Sequence, residues 1–207
     1  QDALLSNPLL DFDRLLLVKR TYQFPLSKAP GKKVKPGKQG SKSYDENIEG
    51  EVLGLPVNHN SLFSIRRSGY DNEIAVLSPV RPDGELTTFF KPRDDVYVGE
   101  VELDFDAKRM LLTMPENDRW QVFELSTDGT GLVRVTPNDE TDVDNYDACY
   151  LPDGRVIFCS TANYQAIPCW SGAHNTASIY LLDRTSGNVR QLTFDQDDDN
   201  YPSVLNN

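Results

Sequence analysis

The sequence predicts an all-β fold built from repeated four-stranded sheets, and three observations predict it. The stretch 145–160, NYDACYLPDGRVIFCS, reads as strand, tight turn, strand. Pro152 presets φ for a turn corner, and Gly154 tolerates the positive φ that tight hairpins demand. That hairpin has an echo. LDFDAKRMLLTM (103–114) superposes on YLPDGRVIFCS (150–160), with Met110-Leu111-Leu112 on Val156-Ile157-Phe158. The second halves repeat as well. WQVFELSTDGTGLVRVTP (120–137) superposes on ASIYLLDRTSGNVRQLTF (177–194), with Val135-Thr136 on Leu192-Thr193. Four short antiparallel strands in each repeat of roughly 40–50 residues is the pattern of a β-propeller blade.

Taken in order, the chain divides into three blades and the start of a fourth. Blade one covers about 8–90. LLDFDRLLLVKR (9–20) matches the LDFDAKRMLLTM hairpin, and its partner hairpin waits until residues 73–90, around the Arg81-Pro82-Asp83-Gly84 turn. An insertion of residues 21–71 separates the two. Its first part, 27–43, holds six Lys among Pro, Gly and Ser, and cannot bury enough apolar surface to order itself cheaply. Its later part, LGLPVNHNSLFSI (53–65), is apolar enough to pack on the blade. Blade two covers about 99–136, with strands near 100–105, 109–114, 120–126 and 132–136. Blade three covers about 147–193, with strands near 147–151, 155–160, 178–183 and 189–193. Residues 201–207, YPSVLNN, begin a fourth copy. Propellers close to hide strand edges, so this reading expects the remainder of the propeller, or another chain, to complete the ring. An open solenoid or a sandwich of about twelve strands remains the alternative.

Charge and cysteines restrict the chemistry. The formal net charge is −11. Residues 1–60 carry nine Lys/Arg against seven Asp/Glu, so the acidity belongs to the body of the chain. An acidic body argues against nucleic acid as a partner. No apolar run reaches the length of a membrane span, and the start, Gln1-Asp2-Ala3, carries neither the basic segment nor the apolar stretch of a signal peptide. The three cysteines form no Cys-x-x-Cys, no haem-attachment motif is present, and no Gly-x-Ser-x-Gly marks a nucleophile elbow. No catalytic constellation emerges.

Four groups of residues stand out as candidate sites. Asp142 and Asp144 precede blade three. Asp195, Asp197 and Asp199 precede the fourth copy, and both runs lead into an Asn-Tyr pair. Closely spaced carboxylates can supply the oxygens that calcium wants, although neither run has the calcium-loop spacing and both also suit turn-capping or a solvated face. Cys159 and Cys169 bracket a loop that a disulfide would pin, with Cys149–Cys159 as an open alternative. Trp170 and His174, in the same loop, are candidates for a ligand surface. His59 is a loop histidine, and Trp120 opens a strand and is expected in the core.

The phrases YLPDGRVIFCS and SIYLLDRTSGNVRQLTF resemble the WD-like propeller repeats of the periplasmic Tol-Pal system. NPLLDFDRLLLVKR, YDNEIAVLSPVRPDGELTTFF, DVDNYDACYLPDGRVIFCSTA, IPCW and RQLTFDQDDDNYPSVLNN together resemble large secreted bacterial proteins similar to the hydrazine synthase alpha subunit. The resemblance implies a six-bladed propeller, of which this chain is the first half, in a periplasmic or secreted protein. It implies a scaffold or a surface for ligands and proteins. The other function it implies is the propeller portion of a c-type-haem oxidoreductase, with haem sites outside this segment. No haem-binding or catalytic residue carries over to this chain.

Overall fold

The structure, a computed structural model, describes residues 12–22, 62, 65–137, 140–166 and 175–205. It is all-β among these residues. β1 (Leu15–Tyr22), β2 (Tyr70–Ser78) and β3 (Glu85–Phe90) form one antiparallel sheet in the order β1-β2-β3. β4 (Gly99–Leu103), β5 (Arg109–Glu116), β6 (Arg119–Ser126) and β7 (Val133–Arg134) form a second, in sequence order. β8 (Asn145–Tyr150), β9 (Val156–Ser160), β10 (Ser178–Leu182) and β11 (Val189–Gln191) form the third, again in sequence order. These sheets are three successive propeller blades. Each sheet is an antiparallel meander in sequence order, although residues 23–69 separate β1 from β2 and residues 161–177 separate β9 from β10.

The repeat read from the sequence has a structural counterpart. Leu111 pairs with Glu124 where Ile157 pairs with Leu181, and Phe123 pairs with Arg134 where Tyr180 pairs with Gln191. Thr136 and Thr193 close the two blades alike. The Thr136 hydroxyl accepts the Val122 N–H at 3.3 Å, and the Thr193 hydroxyl accepts the Ile179 N–H at 2.8 Å. These side chains take over from the backbone ladder, which is why β7 and β11 stop short of the expected 136 and 193. The first turns also correspond, with Ala107 at φ 54° and Gly154 at φ 84°.

Blades stack through apolar faces, as antiparallel sheets buried on both sides must. Between blades one and two lie Ile74, Val98, Met110, Leu112, Phe123 and Leu125. Between blades two and three lie Leu111, Val122, Tyr150, Val156, Phe158 and Tyr180. A third cluster caps one end of all three sheets. It joins Tyr70, Tyr97, Trp120, Tyr146, Cys159 and Ala177 with Leu62 and Ile65 of the blade-one insertion. Trp120 is fully buried there, edge-on to Tyr97 at 5.2 Å, as its strand-opening position suggested. Leu62 and Ile65 are the described residues of 53–65, and both pack in this cluster; the rest of that stretch lies outside the described residues. Residues 24–50 lie outside the described residues.

Candidate functional site

The two ends of the sheets differ. β2, β4, β6, β8 and β10 begin at one end, here termed the entry end, and residues 91–98, 135–137, 140–144 and 192–200 of the inter-blade linkers run there, together with 161–166 and 175–177. The opposite end carries the turns 79–84, 104–108, 127–132, 151–155 and 183–188.

An aspartate in each linker ties it to the blade before it. Asp95 Oδ2 accepts the Gly69 N–H at 3.0 Å. Asp144 Oδ1 accepts the Trp120 N–H at 2.8 Å. Asp198 Oδ1 accepts the Ala177 N–H at 2.7 Å. Asp144 is 1% exposed and is also held by Arg67 at 3.2 Å and Arg119 at 3.5 Å. The sequence-marked aspartates therefore divide. Asp144 is committed to these bonds, and Asp199 to the Thr193 hydroxyl. Asp142 and Glu140 accept the Tyr164 hydroxyl, at 3.2 and 2.7 Å, joining two loops, and the Glu140 bond is the main reason the tyrosine's pKa is pushed up to about 12. Asp195 and Asp197 are exposed. Among the described residues, no group of three or more His, Cys, Asp or Glu converges on a point where a metal ion would sit.

The feature that sequence reasoning missed lies on the innermost strands, β4 and β8, which are neighbouring sheet edges. Both carry a β-bulge at the same place. The register shifts between Gly99 and Glu102 in one and between Tyr146 and Cys149 in the other. The bulged residues are acidic. Glu100 has φ 45° and Asp147 has φ 48°, left-handed conformations that cost a residue with a Cβ about 1–2 kcal/mol. Gly99 makes the first bulge possible, because a Cβ there would collide with the Tyr97 ring.

The bulges turn both carboxyl groups into a common interior. Asp147 is 4% exposed. Its Oδ2 accepts the Tyr201 N–H at 3.2 Å, and its Oδ1 has no partner among the described residues. Glu100 Oε1 accepts the Tyr97 hydroxyl at 2.8 Å, and its buried Oε2 has none. Thr113 Oγ1, on the residue that pairs with Gly99, and Asn200 Oδ1, beside Tyr201, are likewise buried without partners. Burial, then the Asp147 charge, push the Glu100 pKa up to about 8 against the opposing pull of Tyr97 and Arg20. Burial pushes Asp147 up to about 6. Tyr201, which is 54% exposed, meets the pair through its backbone N–H on Asp147. The signal available in the sequence was a superposition: aligning Val98-Gly99-Glu100 with Asn145-Tyr146-Asp147 sets acid on acid.

Cys159 is fully buried in the entry-end cluster, where burial drives its thiol far above the usual range. Cys149 is buried mid-strand, and the two are not joined to each other. Cys169, Trp170, His174 and His59 lie outside the described residues. A cleft of about 340 Å³ opens between linker residues Pro137 and Glu140 and the blade-three residues Phe158, Tyr180, Asn188 and Val189.

No protein-family model matches this chain, and no curated protein does. Solved structures do resemble it. TolB from Acinetobacter baumannii is similar at 24% identity and a TM-score of 0.39, over 59% of this chain and 27% of that one. The protein assigned as a TolB in Agrobacterium tumefaciens is similar at 17% identity and a TM-score of 0.46, over 63% of this chain and 41% of that one. Puromycin hydrolase is similar at 13% identity and a TM-score of 0.45, over 62% of this chain and 19% of that one. The chain thus spans well under half the length of each.

Proposed function

We propose that this chain is part of an exported β-propeller that works as a scaffold and binding surface, and that its working side is the entry end. The unequal ends of the sheets support this reading. The described parts of the linkers 138–146 and 194–200 and of the loop 161–176 (residues 140–146, 194–200, 161–166 and 175–176) gather at one end over the blade stack, which is the arrangement by which scaffolds present binding loops. The rest of the propeller, or another chain, covers the outer face of blade three, where Leu192, Phe194 and Leu205 stand 39%, 76% and 78% exposed.

The test is native purification followed by intact mass, visible absorption and lysine crosslinking. A colourless species larger than 23.3 kDa, with crosslinks to its partner or ligand domain from Lys91 at the entry end and none from Lys108 at the opposite turns, is the expected result. A Soret band would replace this reading with the haem oxidoreductase. Crosslinks confined to Lys108 would place the working surface at the wrong end.

A further inference from the structure

We propose that Glu100 and Asp147 form a binding site for a hard divalent cation of the calcium class, at the edge where the innermost strands of two blades meet. The argument begins with acceptors that lack donors. Asp147 Oδ1 and Glu100 Oε2 are carboxylate oxygens, buried and without a hydrogen-bond partner among the described residues. A buried acceptor left unsatisfied is costly, and more so when it is charged. Two carboxylates on the adjoining strands β4 and β8 raise that cost, because like charges in a water-poor interior repel.

The neighbours relieve the charge only in part: the Tyr97 and Thr113 hydroxyls and Arg20 favour the Glu100 carboxylate, and burial with the Asp147 charge outweighs them. Arg20 is the cation that acts on Glu100, yet its Nη2 donates to the Val98 carbonyl and its guanidinium lies over the Tyr97 ring at 4.1 Å. The two further buried oxygens, Thr113 Oγ1 and Asn200 Oδ1, flank the pair on the strand opposite Gly99 and on the linker beside Tyr201. The set is therefore two carboxylates, a hydroxyl and an amide oxygen. Oxygen-only donors in an irregular arrangement suit calcium, which takes six to eight ligands at flexible geometry, with water completing the shell. Softer metals would favour thiolate, and burial keeps the nearby Cys159 thiol protonated.

This site is separate from the acidic linkers that the sequence points to. There, Asp144, Asp198 and Asp199 already accept hydrogen bonds from the protein. The bulges offer what the linkers do not, namely carboxylate oxygens fixed by the backbone and still open to a ligand. The inference stands independently of which partner the entry end binds.

Terbium luminescence on the chelator-treated, natively purified protein tests it, since terbium substitutes for calcium and the neighbouring Tyr97 and Tyr146 can sensitise it. Wild type is expected to show saturable luminescence that calcium displaces, and a rise in melting temperature when calcium is added. Glu100→Gln and Asp147→Asn should each weaken binding about tenfold or more, because each removes one ligand charge while keeping the side-chain shape. Asp197→Asn, in the exposed linker, should leave binding unchanged. Circular dichroism establishes that the amide variants are folded, and the calcium-dependent melting of wild type requires no variant at all. Absence of saturable binding, absence of a melting shift, or binding that survives both amide substitutions but fails in Asp197→Asn would overturn the proposal.

Discussion

Two buried acidic sites lie between blades two and three, and they are built in opposite ways. Glu124, on β6, is 8% exposed. Arg184, from the blade-three turn, meets it with two hydrogen bonds at 2.7 and 2.8 Å, Tyr150 adds a third at 2.8 Å, and Arg109 approaches at 3.4 Å. Burial works to raise its pKa, but the bonds from Arg184 and Tyr150 prevail and hold it below the ordinary glutamate value. Asp147 is as enclosed as Glu124 and Glu100 is half-buried with its Oε2 enclosed, yet one oxygen of each has no hydrogen-bond partner among the described residues, and both pKa values move up. Burial alone therefore does not say what an acid is for. The donors around it do: a carboxylate ringed by guanidinium groups is a clasp between blades, whereas one facing another carboxylate is waiting for a positive charge.

Substitutions sharpen that contrast. Glu124→Ala should have the largest effect, a loss of about 3 kcal/mol in chemical denaturation, because it strands the part-buried Arg184 charge and the Tyr150 hydroxyl at a blade interface. Asp144→Ala should cost about 2–3 kcal/mol by releasing the Trp120 N–H and two arginines. The pH dependence should separate the two sites by sign. Glu124 has a depressed folded pKa, so its contribution is present above the unfolded value near 4.5 and is lost as pH falls below it. The bulged pair has raised folded pKa values. In chelator its contribution is complete below the unfolded values near 4 and is lost as pH rises through about 6 and then about 8. Melting temperature measured against pH in chelator should thus fall on both the acid and the alkaline side, and Glu124→Gln should remove the acid limb alone. Smallest of all, Asp197→Asn should change stability by less than about 0.5 kcal/mol, since its side chain is exposed and among the described residues accepts its neighbour's N–H alone.

The strands were legible in the sequence because each blade repeats the same local physics. Apolar runs fill the interfaces, a positive-φ residue (Ala107 or Gly154) turns the first hairpin, and Thr136 and Thr193 end the blades alike. The bulged site was not legible, for two reasons. A bulge is a register shift against a partner strand, and no single strand announces it. The acidic linkers also drew attention by their density, although there the carboxylates serve as caps on the strands of the preceding blade. Asp147 stood one residue beyond the Asn145-Tyr146 pair that those linkers lead into, and Glu100 sat in a strand whose other residues gave no hint of burial.

The most direct test of the contrast is the stability of Glu100→Gln against wild type, in chelator and at mildly alkaline pH. The amide has the same shape and no charge. If the bulged pair is uncompensated, the variant unfolds at a higher denaturant concentration than wild type, with an unchanged slope. If the variant is instead less stable, the Glu100 carboxylate is already satisfied within the fold, and the distinction between clasp and open site fails.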